Sequence, residues 1–136
     1  MRMTRRLKGI GLVGGIGEGA ALVSRAGIAF NLGVDERTGI VIERGHELEG
    51  QSVAGRVVVF PSGKGSSGGS FSLLQLAHRG LAPAAIIHVQ AEAVVTAGAV
   101  LAHIPLVHRL DEDPTAAIRT GDRVRVDGAT GEVTVG

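Results

Sequence analysis

Cysteine, tryptophan and tyrosine are missing from this chain of 136 residues, and three phenylalanines are its only aromatics. Without cysteine there is no disulfide, and no thiolate set for zinc or an iron–sulfur cluster can come from this chain alone. Without stacking aromatics interleaved with a basic face, single-stranded nucleic acid has no platform to bind. Long apolar runs are missing as well. The longest uncharged stretches, 80–91 and 93–108, are short and broken by Pro83 and Pro105, so neither is expected to span a bilayer. The segment after the first arginines is glycine-rich and carries Glu18 where a secretory signal would need an apolar core, which predicts a cytoplasmic protein.

What is present suits one packed domain. Hydrophobic residues make up 44% of the chain, with Val, Ile, Leu and Ala supplying the core, and 22 glycines point to tight turns and close backbone approaches. The net charge of +1 conceals an asymmetry: Arg2, Arg5, Arg6 and Lys8 carry +4, leaving the rest at −3. Residues 1–8 therefore read as a basic, flexible tail, and 9–136 as a single domain.

Along that domain, 19-GAALVSRAGIAF-30 reads as a strand, 31-NLGVDERTG-39 as a loop and 40-IVIER-44 as a short strand. After a connection over 45–55, the run 56-RVVVF-60 is a buried strand closed by Pro61. The segment 71-FSLLQLAHR-79 is a helix with Phe71, Leu74 and His78 on one stripe, Leu73, Leu76 and Ala77 beside it, and Gly80 as its left-handed cap. A strand over 84–89, a small-residue helix or irregular turn over 91–102 and a strand over 104–110 follow. Asp113-Pro114 starts a short helix that stops at Gly121, and 122–135 alternates about Asp127-Gly128 as a β-hairpin. The expected class is α/β, strand-rich with a few short helices.

The chemistry concentrates in 60-FPSGKGSSGGS-70. The pattern G-x-G-x-x-G occurs twice, at 9–14 and 63–68. The first lacks the strand and helix context of a nucleotide site and reads as structural glycine. The second follows a strand and opens a helix, which suits an anion, but no acidic residue ends the next strand where a ribose would be held. The loop offers the N–H groups of Ser66, Ser67, Gly68 and Gly69 at the positive end of a helix dipole, with Lys64 beside them, as a seat for carboxylate or phosphate. Two other roles are open: Ser66 or Ser67 as a plain helix cap, or a serine whose alkoxide is stabilised by the surrounding donors and which then serves as a base. A Ser-His-Asp hydrolase is disfavoured because the loop is not a G-x-S-x-G elbow. Of the five histidines, none has metal-ligand spacing; His46, in a connection, and Asp35, in a glycine-flanked loop, are the further candidates to line a site.

The run 33-GVDERTGIVIERGHELEGQSVAGRVVVFPSGKGSSGGS-70, continued by 80-GLAPAAII-87, resembles the small swivelling subunit of the aconitase X hydro-lyases. A D-x-x-T-G element, a histidine, a G-x-x-x-x-G-R/K strand entry and a G-x-G-S loop occur in the same order, and the loop is also similar to the G-x-G-S-S segment of ordinary aconitases. The resemblance implies a swivelling β/β/α domain and a dehydratase. It implies Ser66 as the proton-abstracting base, with Ser67, Gly68 and Gly69 supplying donors to the substrate carboxylate or to the alkoxide; with Lys64, Gly65, Asp35 and His46 from the reading of the residues, these make up the expected substrate-binding set. It also implies a cysteine-containing large subunit that holds iron or an iron–sulfur cluster, no cofactor or metal on this chain, and a small hydroxy acid such as mevalonate 5-phosphate or cis-3-hydroxy-L-proline as substrate.

The segments 96–107 and 120–135 are similar to the mobile phosphohistidine domain of phosphoenolpyruvate-utilising enzymes, which makes a swivelling carrier the alternative. Such carriers place a T/S-H pair before the corresponding helix. Here Thr96 is followed by Ala97, and His103 falls at the helix end.

Overall fold

The computed structural model describes residues 4–64 and 68–136. In chain order the elements are β1 (Arg5–Lys8), β2 (Ile10–Val13), β3 (Ile16–Val23), α1 (Phe30–Gly33), β4 (Val57–Phe60), α2 (Gly68–His78), β5 (Ala85–His88), α3 (Ala93–Ala102), β6 (Leu106–His108), α4 (Pro114–Ala117), β7 (Arg123–Asp127) and β8 (Glu132–Val135). The strands pair in the order β1-β8-β7-β3-β4-β5-β6-β2. Strands β3, β4, β5 and β6 are mutually parallel, and all the other pairings are antiparallel.

Strand β3 belongs to two sheets: Ile16–Ala20 pairs with β7 and Ala21–Val23 with β4. The opposite ends of the strand order, β1 and β2, are joined by the single residue Gly9, whose N–H donates to the Gly131 carbonyl at 2.9 Å. The result is an antiparallel layer folded over a parallel one. Successive side chains of a strand point to opposite faces, so Val57, Val59, Ala85, Ile87 and Val107 enter the core between the sheets. Val58, Phe60, Ile86 and Leu106 turn the other way, onto Phe30, Leu73, Leu76, Val95 and Ala99 of the helices. Helices cover the outer face of the parallel layer, and its strands therefore read as unbroken apolar runs. This is the β/β/α arrangement with mixed α/β content that the resemblance implied.

Several local expectations need correction. Residues 5–8 are not a frayed tail: they pair with β8, Leu7 is 2% exposed, and the Lys8 ammonium donates to the Thr130 carbonyl at 2.7 Å. The strand expected over 19–30 runs instead over 16–23. Its first half buries Gly17 and Gly19, whose lack of a side chain hides the alternation; a Cβ would overlap the carbonyl oxygens of Ala84 and Gly55. The chain then turns into the short helix α1 rather than a loop. Residues 40–44 form only isolated bridges, Val34 with Val41 and Ile40 with Ser52, because no longer strand lies alongside. In α2 the buried residues are Gly69, Ser72, Leu73 and Leu76, whereas Phe71 is 68% exposed.

Other expectations agree. Gly80 follows α2 at φ +71°, Asp113 caps α4 by accepting from the Thr115 N–H, and β7 and β8 form the hairpin. Its turn is longer than two residues, and Asp127 Oδ1 accepts from the N–H groups of Ala129 and Thr130 at 3.0 and 3.1 Å.

That turn closes against β2. A Cβ on Gly128 would overlap the Val13 carbonyl oxygen, a backbone atom held in its own strand, while one on Gly14 would meet nothing within 4 Å. Gly128→Ala is expected to destabilise the fold by about 3 kcal/mol and lower the melting temperature by about 10 °C. Gly14→Ala is the control, and thermal unfolding of the two variants side by side reads the difference.

Candidate functional site

In an α/β sheet the crevice at the carboxyl ends of the parallel strands is where ligands are bound. Here Phe60, His88 and His108 end β4, β5 and β6 in one register row. The segment leaving β4 is held along its length. The Pro61 carbonyl accepts from the N–H groups of Val89 and Gln90, both at 3.1 Å; Gly63 bridges to Ile28, and the Lys64 N–H donates to the Ile28 carbonyl at 3.1 Å. On the far side, Ser70 Oγ donates to the Val94 carbonyl at 2.7 Å and Ser72 Oγ donates to Glu36 Oε1 at 2.8 Å. The loop's flanks are thus anchored to α3, to the turn after α1, to the segment after β5 and to the segment before α1.

Gly68 and Gly69 open α2, and no acidic residue lies in its first turn to neutralise the positive end of the dipole. Gly65, Ser66 and Ser67 lie outside the described residues. Glu92 caps the adjacent helix α3, accepting from the Val94 and Val95 N–H groups at 2.7 and 2.6 Å. Its carboxylate and Val95 lie so close to Gly63 that a Cβ there would collide with both.

The Lys64 ammonium sits 2.9 Å from Glu43 Oε2, with the two side chains 48% and 33% exposed. Such a pair is worth about 0–1 kcal/mol, so an incoming anion can compete for the lysine. Asp35 is half-buried in a turn: its Oδ1 accepts from the Arg37 N–H at 2.8 Å and its carbonyl from Thr38 and Gly39. His46 is 7% exposed, with both ring nitrogens in use. Nδ1 accepts from the Leu48 N–H at 3.1 Å, which leaves Nε2 to donate to the Gly27 carbonyl at 2.9 Å. Gly27 in turn lies against Ser62 and the stem of Lys64. His46 therefore supports the loop from behind. Beside it the Glu47 carboxylate accepts from Arg25 and Ala26 N–H groups and lies 2.9 Å from Ser24 Oγ; the Arg25 contact does most to hold its pKa below the ordinary carboxylate value.

Three features of this region escaped the reading by pattern. Glu43 and Glu92 approach the loop from distant parts of the chain. His88, inside what reads simply as a core strand, is fully buried, and among the described residues neither of its ring nitrogens has a hydrogen-bond partner. Its ring stacks edge-on against Phe60 with centroids 4.4 Å apart. Burial, followed by the neighbouring His108, pushes its pKa down to about 4. The available signal was a polar residue at the carboxyl end of an otherwise apolar strand. Among the described residues no three His, Asp or Glu side chains gather as a metal site, and no helix is long and apolar enough to cross a membrane.

The comparisons with known proteins agree with this fold. A family model described as the aconitase X swivel domain matches residues 6–135. The phosphomevalonate dehydratase small subunit of Methanocella arvoryzae is 48% identical over 126 residues, covering 93% of this chain and 96% of that one. The protein of the same name from Pyrococcus furiosus is 43% identical over 130 residues, covering 96% and 95%. In the solved structures, a chain of the holo form of Thermococcus kodakaraensis aconitase X matches with a TM-score of 0.91 at 44% identity, covering 96% of this chain and 98% of that chain. By sequence over nearly its whole length, and by fold, the chain belongs to the aconitase X swivel-domain family.

Proposed function

We propose that this chain is the small subunit of a phosphomevalonate dehydratase, a hydro-lyase that removes water from mevalonate 5-phosphate and works only with its large subunit. The observation that carries the reading is near-full-length identity of 48% to a protein of that name, joined to an anchored loop at the carboxyl end of a parallel sheet. Those names favour mevalonate 5-phosphate over cis-3-hydroxy-L-proline as the hydroxy acid.

In this mechanism Ser66 takes the proton from the carbon next to the substrate carboxylate, and the electron pair of that C–H bond forms the new double bond as the hydroxyl departs. A serine alkoxide is ordinarily far too unstable at neutral pH. The N–H groups of Gly68 and Gly69, at the unneutralised end of α2, are the donors that would stabilise it or hold the carboxylate beside it. Lys64 exchanges Glu43 for the anion. An iron centre does not fit on this chain, which has no cysteine and, among the described residues, no cluster of other ligands. The proposal assigns that centre to the cysteine-bearing large subunit and the proton transfer to this one, in the cytoplasm.

The carrier reading is disfavoured at the helix that would hold its phosphohistidine. The N-cap of α3 is the carboxylate of Glu92, which repels phosphate, and His103 stands at the opposite end as a left-handed C-cap. Co-purification with the large subunit, followed by an assay for the unsaturated acid, tests the proposal. The complex is expected to form product from mevalonate 5-phosphate and each subunit alone to form none; an intact complex without turnover would sink the reading.

A further inference from the structure

Among the described residues only His103 and Arg109 adopt positive φ without being glycine, at 56° and 53°. For His103 the conformation is ordinary, because it caps α3. Arg109 ends no helix: it follows β6 directly, in a conformation that a long side chain adopts only when its surroundings impose it. Those surroundings are specific. Its N–H donates to the Val89 carbonyl at 3.2 Å, and its Nε donates to Gln90 Oε1 at 2.9 Å. The Gln90 N–H donates to Pro61, the first residue of the loop that leads to Ser66.

The guanidinium thus leans from the end of β6 across the end of β5, toward the side where β4 releases its loop. It is exposed, and among the described residues it makes no ion pair and its terminal nitrogens make no hydrogen bond. An arginine oriented by Nε alone keeps its outer N–H groups free for two oxygens of an anion. Strands β4 and β6 are separated by two strand spacings, about 10 Å. That span suits a chain with its reacting carbon at one end and a phosphate at the other.

We propose that Arg109, oriented by Gln90, binds the phosphate of a phosphorylated hydroxy acid at the carboxyl end of β6, and so selects phosphorylated substrates. The inference rests on the dehydratase reading. Arg109→Gly in the two-subunit complex is the informative variant, because glycine accepts φ 53° and so removes the side chain, guanidinium included, without straining the backbone. KM for mevalonate 5-phosphate is expected to rise about 30-fold against a far smaller change in kcat, and competitive inhibition by inorganic phosphate to weaken by a similar factor. Arg109→Lys should recover part of both. A melting temperature at or above that of the parent complex separates this outcome from damage to the fold. Unchanged KM and phosphate inhibition in an active complex overturns the inference alone; a parent complex that does not turn over removes the reading beneath it as well.

Discussion

Ser66→Ala is expected to lower kcat of the reconstituted complex at least about a thousandfold while leaving assembly with the large subunit and substrate binding intact. The size of the effect follows from the chemistry. A proton on carbon beside a carboxylate is weakly acidic, and water reaching the same position is neither oriented nor stabilised as an anion by donors at a helix terminus. No other described side chain at the carboxyl ends of β4, β5 and β6 replaces the serine. His88 has its ring packed against Phe60, and His108 uses Nδ1 to accept from the Ala91 N–H, which leaves the proton of its neutral ring on Nε2; behind the loop, His46 spends both nitrogens on backbone groups. The competing role for Ser66 is that of a helix cap, which predicts the opposite pattern: a loss of about 1 kcal/mol of stability with kcat nearly unchanged. Single-turnover kinetics and thermal unfolding of the same variant decide between the two, and activity within tenfold of the parent would remove Ser66 from the reaction.

The second large effect concerns stability at acid pH. His88 titrates at about 4 in the folded chain, against 6.5 for a free imidazole. The unfolded chain therefore binds a proton below pH 6.5 that the folded chain refuses until about pH 4. Stability is fully present above 6.5 and is lost as the pH falls toward 4, by about 3 kcal/mol in total from this one group. His88→Leu should remove that slope. At pH 7 the variant should be at least as stable as the parent, because two ring nitrogens with no hydrogen-bond partner are exchanged for an apolar side chain facing Phe60. Urea unfolding of both chains between pH 7 and pH 4 checks this. Carboxylates such as Glu47 and Asp127, whose pKa values lie below their ordinary range, add acid sensitivity to both chains alike, so the difference between them isolates His88. Equal slopes would show that water or movement relieves the buried ring.

Much of this site was legible before any coordinates. The loop at 60–70 stood out because a buried strand ends at Pro61 and a helix begins beyond a cluster of small residues. Its flanks adopt that strand-loop-helix form. By pattern Asp35 and His46 are candidates to line a site, but pattern cannot show that the His46 ring is committed to Gly27 and Leu48. Nor could it reveal Glu43 as the partner of Lys64, or the Pro61-Gln90-Arg109 sequence of contacts. These pairs come from separate stretches of chain, and no local periodicity records them.

The amino-acid sequence by itself determined the features governed by neighbours along the chain. These are the strand-helix-strand-helix-strand order from β4 to β6, the Gly80 and Asp113 caps, the terminal hairpin, and a glycine-serine loop at the end of a buried strand. Only the tertiary structure decided how the ring of strands closes through Gly9, why Gly17, Gly19 and Gly128 can carry no side chain, and which polar groups meet beneath the loop. Side-chain alternation specifies which face of a strand is buried, but it does not specify which strand lies next to it. That choice is made by the packing of two sheets and a helical layer, and it sets His88 in an apolar interior and brings Arg109 toward the loop.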